Sequence, residues 1–513
     1  MKKTVYRILG LVPALGLQFL WIGVLTRWLS KYSAIINLGL SLLAVIFVLY
    51  IFGSRFEGTY KTLWLFLIVG FPIFGTFLYM SFGNKKMTGP LSKKLQKGKA
   101  SLGEIDLSER DVSVKHLPDR RLQGKESLEA LLPKKGPLGE GEVWEELGKE
   151  NARLCETFGW VAKSTGFALH RVEEATYYPL GELAYAAMLE DLRAAEHFIY
   201  AEYFILEEGK MWDSMVEVMA ERAAGGVDVR VMYDDIGSIS TYNLENIKKL
   251  KEKGIHCIPF NPMVFIRGTL NYRDHRKMLI VDGKVAYSGG INLADEYINA
   301  KERFGHWKDV AFRLTGAPVE NYVRMFTEFW NAFADNPAFL SLPVRKKPLE
   351  SDISLPAPSF AEALSGKGYC LSYYDSPAYP EAVSNNLYIE LLSQATRYAW
   401  FYTPYLMLGD ALLDAFIRAA SRGVDVRLIL PGIPDKKLVY RMSRGYYDVL
   451  LAAGVRIFEY TPGFVHAKAC LVDDVVGTVG TVNLDYRSLF LHFENNSLFY
   501  KAELLQDLKE DYE

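Results

Sequence analysis

His275-Arg276-Lys277-Met278-Leu279-Ile280-Val281-Asp282 and His466-Ala467-Lys468-Ala469-Cys470-Leu471-Val472-Asp473 are two copies of one pattern, H-x-K-x4-D, in a chain of 513 residues. With eight histidines in the chain and about 5–6% for each other residue type, about 0.02 such matches are expected by chance. Each copy runs into an apolar, β-branched stretch that reads as a buried strand. In a strand, residues i and i+2 share a face, so His275 projects with Lys277 and His466 with Lys468, while Arg276 and Ala467 point the other way. Two imidazoles and two ammonium groups converging on one spot suit a phosphate, with one imidazole attacking phosphorus and the other protonating the leaving oxygen. A lone strand histidine is most often a satisfied core residue, but a repeat that keeps the Lys and Asp spacing argues for chemistry. Asp282 and Asp473 complete the catalytic motif and sit at the strand ends, where a carboxylate closes a turn.

The motif lies inside a longer repeat. Gly226-Val227-Asp228-Val229-Arg230 recurs as Gly423-Val424-Asp425-Val426-Arg427, 197 residues on, and the two motif histidines are 191 apart. Each copy follows a helical stretch and, before it, an aromatic strand, which predicts two duplicated α/β lobes. Strand–helix alternation predicts a mostly parallel sheet flanked by helices, with the lobes paired about a pseudo-twofold axis. Seven residues after each motif Asp comes a small-residue turn, Ser288-Gly289-Gly290-Ile291-Asn292 and Val479-Gly480-Thr481-Val482-Asn483. Glycine there lets backbone amides approach a phosphate, and Asn292 and Asn483 add donors. An acid/base imidazole needs its other nitrogen held. The candidates, each counted from the motif of its own lobe, are Asp309, 34 residues after His275, and Glu494, 28 residues after His466.

With the duplicated motif, the runs Leu270-Asn271-Tyr272-Arg273-Asp274, Tyr233-Asp234-Asp235-Ile236-Gly237-Ser238 and Phe493-Glu494-Asn495-Asn496 resemble the phospholipase D superfamily and, within it, the bacterial cardiolipin synthases. The resemblance covers nearly the whole chain. It implies a two-step transfer through a phosphatidyl-histidine, with no metal or other cofactor. His275 would be the nucleophile, and His466 would protonate the departing alcohol and deprotonate the incoming one. Lys277, Lys468, Asn292 and Asn483 would hold the phosphate oxygens, and Asp309 and Glu494 would orient the imidazoles. The implied substrates are two phosphatidylglycerol molecules, giving cardiolipin and glycerol. The chain departs from the family pattern at Gly290, where a Ser is usual, with Thr481 at the equivalent place; lobe one is therefore expected to lack a hydroxyl beside the phosphate. A membrane-anchored hydrolase of the superfamily, or transfer to another alcohol, shares every one of these groups and differs in pocket shape and water exclusion. A relic lipid-binding protein would be expected to have lost one of the two H-x-K pairs.

Three uncharged segments, Ile8 to Thr26, Ser33 to Ser54 and Thr62 to Asn84, are each long enough for a bilayer core, which takes about 20 residues. Gly10, Pro13 and Gly16 interrupt the first, which fits an interfacial or re-entrant piece. Lys85, Lys86, Lys93, Lys94, Lys97 and Lys99 follow the third with no acid among them; the positive-inside rule then predicts a multi-pass cell-membrane protein with cytoplasmic lobes, drawn to an anionic bilayer. The expected organisation is an anchor over 1–100, a linker or extension over 101–180, lobe one over 181–345 and lobe two over 346–513. Met263, Phe265 and Ile266 are apolar enough to meet acyl chains or to pack in the core. A net charge of −2 leaves no basic footprint for nucleic acid, and no protein partner is indicated. Cys155, Cys257, Cys370 and Cys470 lack zinc or disulfide spacing.

Overall fold

The computed structural model describes residue 20 and residues 33–54, 58–83, 89–102, 141–262, 271–334 and 368–513. The expected first span apart from position 20, Lys85 and Lys86, most of the 101–141 linker, Met263, Phe265 and Ile266, and the connection at 345–358 lie outside the described residues.

Two sheets form the body of the molecule. In lobe one the strand order is Glu174–Tyr178, Ala311–Thr315, Val285–Gly289, Met278–Val281, Phe198–Tyr203, Asp228–Asp234, His256–Phe260. In lobe two it is His170–Arg171, Tyr369–Asp375, Glu494–Tyr500, Val476–Gly480, Ala469–Val472, Tyr398–Tyr402, Asp425–Pro431, Arg456–Tyr460. Helices Lys210–Ala224 and Leu244–Glu252 link the last three strands of lobe one, and Asp410–Ser421 with the 437–452 helices links those of lobe two, so these run parallel. Every other pairing in both sheets is antiparallel. The expectation of a mostly parallel sheet is therefore corrected to two mixed sheets.

The cause lies in the motif itself. Asp282 and Gly283 take φ of 54° and 65°, Asp473 and Asp474 take 54° and 68°, and the amides of Lys284 and Val475 close on the carbonyls of Val281 and Val472. Two consecutive positive φ values form a type I′ turn, which sends the next strand straight back. Each Asp also ties this hairpin to the strand beside it. Asp282 accepts the backbone N–H groups of Glu196, His197 and Phe198 at 2.7–2.8 Å; Asp473 accepts those of Thr396, Arg397 and Tyr398 at 2.7–2.8 Å. Both acids are thus bound into the turns, away from the imidazoles.

The lobes interlock rather than abut. Helix Ala152–Thr165, capped at its start by Asn151, buries Leu154, Phe158 and Val161, and the strand that follows, His170–Arg171, joins the lobe-two sheet. A few residues on, Glu174–Tyr178 joins lobe one, so the end of the expected extension is built into both cores. The C-terminal helix Leu504–Tyr512 returns the contact, with Tyr177 donating to Asp511 at 2.8 Å.

Upstream, Ser33–Phe52 forms a helix, but the expected span from Thr62 is broken into Gly58–Gly70 and Pro72–Leu78. Pro72 has no N–H to continue the first of these, and Gly75 lies so close to the Leu67 carbonyl that a Cβ would sit 2.2 Å from it. Among the described residues no helix is long and apolar enough to cross a membrane. Helix Gly89–Ala100 carries Lys93, Lys94, Lys97 and Lys99, and it docks on helix Val319–Phe333 through Leu91, Leu95 and Gly98. Lys99 lies over the rings of Tyr374 and Tyr379 at 5.5 and 5.2 Å, so part of the lysine run is a packing surface.

Removing the turn acids tests their structural role. Asp282→Ala and Asp473→Ala should each cost about 1–3 kcal/mol, the scale of unmaking hydrogen bonds to a charged group, read as a lower thermal unfolding midpoint. Asp282→Gly, which accepts the positive φ but lacks the carboxylate, should remain destabilised.

Candidate active site

The two motif strands meet at the junction of the lobes, and the junction is backbone-built. The N–H of His275 donates to the Phe493 carbonyl at 2.9 Å, and the N–H of His466 to the Lys308 carbonyl at 2.7 Å. Those carbonyls belong to the residues just before Glu494 and Asp309, so each histidine is delivered to a carboxylate of the opposite lobe. Glu494 Oε2 lies 2.8 Å from His275 Nδ1, and Asp309 Oδ2 lies 2.7 Å from His466 Nδ1. The acids selected by within-lobe counting do lie at hydrogen-bond distance from the imidazoles, each against the histidine of the other lobe. Pairing at Nδ1 leaves both Nε2 atoms for a substrate. A parallel ribbon of Gly463–Val465 with His306–Lys308 completes the crossing.

Lys277 and Lys468 share their strand faces with the histidines, as the period-two reading required. Each ammonium donates to the carbonyl of its own histidine, Lys277 at 2.6 Å. Arg276, on the opposite face, is fully buried against Asp274 and Glu202, with its guanidinium 3.4 Å from the Phe329 ring centroid. Asn292 is committed to the protein: its Oδ1 accepts from Ile205 N at 3.0 Å, and its Nδ2 donates to the Tyr297 hydroxyl at 2.7 Å. Asn483 occupies the equivalent place, its Oδ1 buried without a hydrogen-bond partner among the described residues. Cys470 is buried beside the Thr478 hydroxyl at 3.3 Å, and burial pushes its thiol up to about 11.

Gly290 and Thr481 are not a lost and a retained hydroxyl. A Cβ at position 290 would fall 1.9 Å from Asp309 Oδ1, so the short aspartate reaches His466 through space that a side chain would fill. The longer Glu494 instead lies where Thr481 can donate to Oε2 at 2.5 Å and Ser488 to Oε1 at 2.6 Å. Gly with Asp and Thr with Glu are two solutions to one distance.

The electrostatics follow from basic and acidic groups buried together. Burial, reinforced by Lys277 and Lys468, holds His275 well below its ordinary value. Burial and Lys468 bring His466 down to about 4 against the pull of Asp309. Burial lowers Lys277 to about 8 and Lys468 to about 7. Burial raises Glu494 to about 8, with Lys277 pulling the other way; burial also opposes ionisation of Asp309, but His466 and Lys468 keep it below the usual carboxylate range. A phosphodiester anion placed between the lysines would restore their charge.

Sequence reading missed the walls. Trp307, Tyr297 and Phe464 surround His466, with centroids 5.5, 5.3 and 5.9 Å away. His275 instead meets Phe204 at 4.9 Å and His492 at 6.4 Å. His492 Nδ1 accepts the Arg273 N–H at 3.3 Å. Trp307 and His492 each stand two residues before an orienting acid, a signal that aligning the two lobes on Asp309 and Glu494 would have exposed.

Residues 188–306 and 388–513 match the family described as cardiolipin synthase, PLD-like domain, and residues 39–84 match the phospholipase D-nuclease N-terminal family. The chain is 36% identical to an uncharacterized protein of Streptococcus mutans over 91% of each chain. It is 31% identical to cardiolipin synthase 2 of Bacillus anthracis over 88% of this chain and 81% of that one. It is also 28% identical to the cardiolipin synthase of Alkalihalophilus pseudofirmus over 96% and 88%. Among solved structures, a phosphatidylserine synthase of Haemophilus influenzae superposes with a TM-score of 0.51 at 16% identity, covering 69% of this chain and 89% of that chain, a likeness of fold. Two crossed histidine–carboxylate pairs between duplicated lobes and this similarity over most of the chain agree: it belongs to the cardiolipin synthase family of phospholipase D-like proteins.

Proposed function

We propose that this protein is a membrane-anchored phosphatidyltransferase that moves the phosphatidyl group of one phosphatidylglycerol to the hydroxyl of a second, releasing glycerol and forming cardiolipin. The observation that carries the chemistry is the pair of buried Nε2 atoms at one lobe junction, each set by a carboxylate at Nδ1 and accompanied by a buried lysine. In the first step the Nε2 lone pair of one imidazole forms a bond to phosphorus, the P–O bond to glycerol breaks, and the other imidazole gives the departing oxygen its proton. In the second, that imidazole takes the proton of the incoming hydroxyl, whose oxygen bonds to phosphorus as the P–N bond breaks. The lysines stabilise the charge on the phosphoryl oxygens.

The carboxylates support an assignment of roles. Asp309 stays anionic beside His466, which favours an imidazolium there once a phosphate anion has entered. Glu494 faces Nδ1 of His275 while it also accepts the hydroxyl hydrogens of Ser488 and Thr481; sharing its charge in this way draws a second proton onto His275 less strongly and favours a neutral imidazole with a nucleophilic Nε2. The exposed apolar side chains of the first two helices, including Ile35, Leu38 and Phe66 at 69%, 61% and 72% exposure, support burial of these helices in a bilayer, and the lysines that follow them in the chain support a cytoplasmic side for the lobes. Tyr60 of the second helix stacks on Tyr486 of lobe two at 4.7 Å, which ties that bundle to the catalytic body.

Incubation of the full chain with labelled phosphatidylglycerol alone should yield cardiolipin and glycerol in equal amounts; phosphatidic acid as the main product would instead make it a hydrolase. His275→Ala and His466→Ala should each lower transfer at least a thousandfold. With a p-nitrophenyl phosphatidyl ester, whose leaving group needs no proton, His466→Ala should keep a first-turnover burst and His275→Ala should lose it; the reverse pattern would exchange the roles. The pH profile follows from the lysines. Their lowered pKa values mean that the cations of the free enzyme are complete only below about 7 and are lost as pH rises through about 8. The kcat/KM should therefore fall across that interval, while kcat, measured with the anion bound, should fall at higher pH.

A further inference from the structure

Beyond residue 83, the exposed large apolar side chains among the described residues are Leu183, Leu244 and six from Ile433 to Phe458. A soluble surface scatters such residues singly, and their concentration marks a contact surface. At its centre is helix Lys437–Arg444. Leu438 and Met442 stand one turn apart on it, 71% and 52% exposed, with Ile433 at 40% just before it. Its inner face is held by the body: Ser443 is buried and accepts the Leu406 N–H at 3.0 Å, and Tyr440 donates to Glu459 at 2.9 Å. Lys437, Arg441 and Arg444 fall at i, i+4 and i+7 along the flank of the apolar pair. Arg444 lies 3.7 Å from Glu459, and Lys436, before the helix, lies 3.0 Å from Asp435. Among the described residues neither Lys437 nor Arg441 has an acidic partner, and both are exposed.

An apolar stripe flanked by long cationic side chains is the pattern of a helix lying in a membrane surface, with the stripe in the acyl boundary and the cations among anionic headgroups. Position agrees with pattern. Asp410 lies beside Gly58 at the start of the second N-terminal helix, and Tyr446, two residues past helix Lys437–Arg444, donates to the carbonyl of Leu408, two residues before Asp410, at 3.2 Å. The helix is also continuous with the active site. Lys436 Nζ donates to the Tyr405 hydroxyl at 2.8 Å, the Tyr405 ring lies 6.4 Å from Phe464, and Phe464 lies 5.9 Å from His466. Ile433 N donates to the Gly463 carbonyl at 3.0 Å, on the ribbon that leads to His466. We propose that Ile433 and helix Lys437–Arg444 form a second membrane contact, which seats lobe two on an anionic lipid surface and opens the His466 side of the site to lipid in that surface. The proposal rests on the membrane-anchored reading above and adds to it a surface of the catalytic body itself.

The test uses the full chain reconstituted in vesicles of phosphatidylglycerol in phosphatidylcholine, with turnover of phosphatidylglycerol followed whichever product forms. A short-chain, monomerically dissolved phosphatidylglycerol, offered to the detergent-solubilised protein, is the second substrate. In Leu438→Glu/Met442→Glu the half-saturating mole fraction of phosphatidylglycerol in vesicles should rise five- to tenfold, while kcat/KM on the dissolved substrate stays within twofold. Lys437→Gln/Arg441→Gln, which leaves the apolar stripe intact, should lose most of the dependence of vesicle turnover on the anionic fraction and keep the dissolved-substrate rate. Unchanged vesicle kinetics in both variants, or equal loss on the two substrates, would overturn the proposal. The identity of the product, cardiolipin or phosphatidic acid, reports separately on the synthase reading.

Discussion

Everything at the centre of this protein depends on one arrangement, a histidine of each lobe held at Nδ1 by a carboxylate of the other. Neither lobe contains a finished site. The backbone bonds from His275 to Phe493 and from His466 to Lys308 put catalytic alignment and lobe association under the same hydrogen bonds. The interlocking of His170–Arg171, Glu174–Tyr178 and the C-terminal helix across the junction supplies the rigidity this requires. Two histidines acting on a single phosphorus atom, as proposed, would tolerate little relative motion of their two supports.

The second constraint is electrostatic. Two lysines, two histidines and two acids are buried together, and burial lowers the basicity of both lysines and both histidines. In the proposed reaction a phosphate anion between the lysines would raise it again, a gain that would count toward binding. The near symmetry of the repeat is broken beside the two histidines, at the points on which the proposed division of roles rests. Gly290 with Asp309 keeps a short acid against His466; Thr481 and Ser488 donate to the longer Glu494 and share its charge beside His275. The walls differ in the same sense, aromatic around His466 and carrying His492 and Phe204 beside His275.

Much of this was legible in the chain. The motif spacing placed His275 with Lys277 and His466 with Lys468, because the two-residue period of a strand leaves no other arrangement once both stretches are buried. The repeat of Gly226–Arg230 at Gly423–Arg427 announced the duplicated lobes, and the choice of Asp309 and Glu494 as orienting acids followed from the need of an imidazole for a partner. The mostly parallel sheet was misread because the strand–helix alternation was extended past the motif; Asp282-Gly283 was itself a hairpin signal. Asn292 was read as a phosphate donor, but its amide is taken by Ile205 and Tyr297, contacts made by folding that no local spacing reveals.

Shared strand faces, repeated segments and apolar stretches are written along the chain, in residue order and in the two-residue period of a strand. The place that Asp309 takes beside Gly290, 19 positions away, came instead from the pairing of two strands. The service of each acid to the other lobe's histidine, and the packing of part of the lysine run against aromatic rings, emerged with the fold because they join residues more than a hundred positions apart, where distance along the chain carries no information about distance in space.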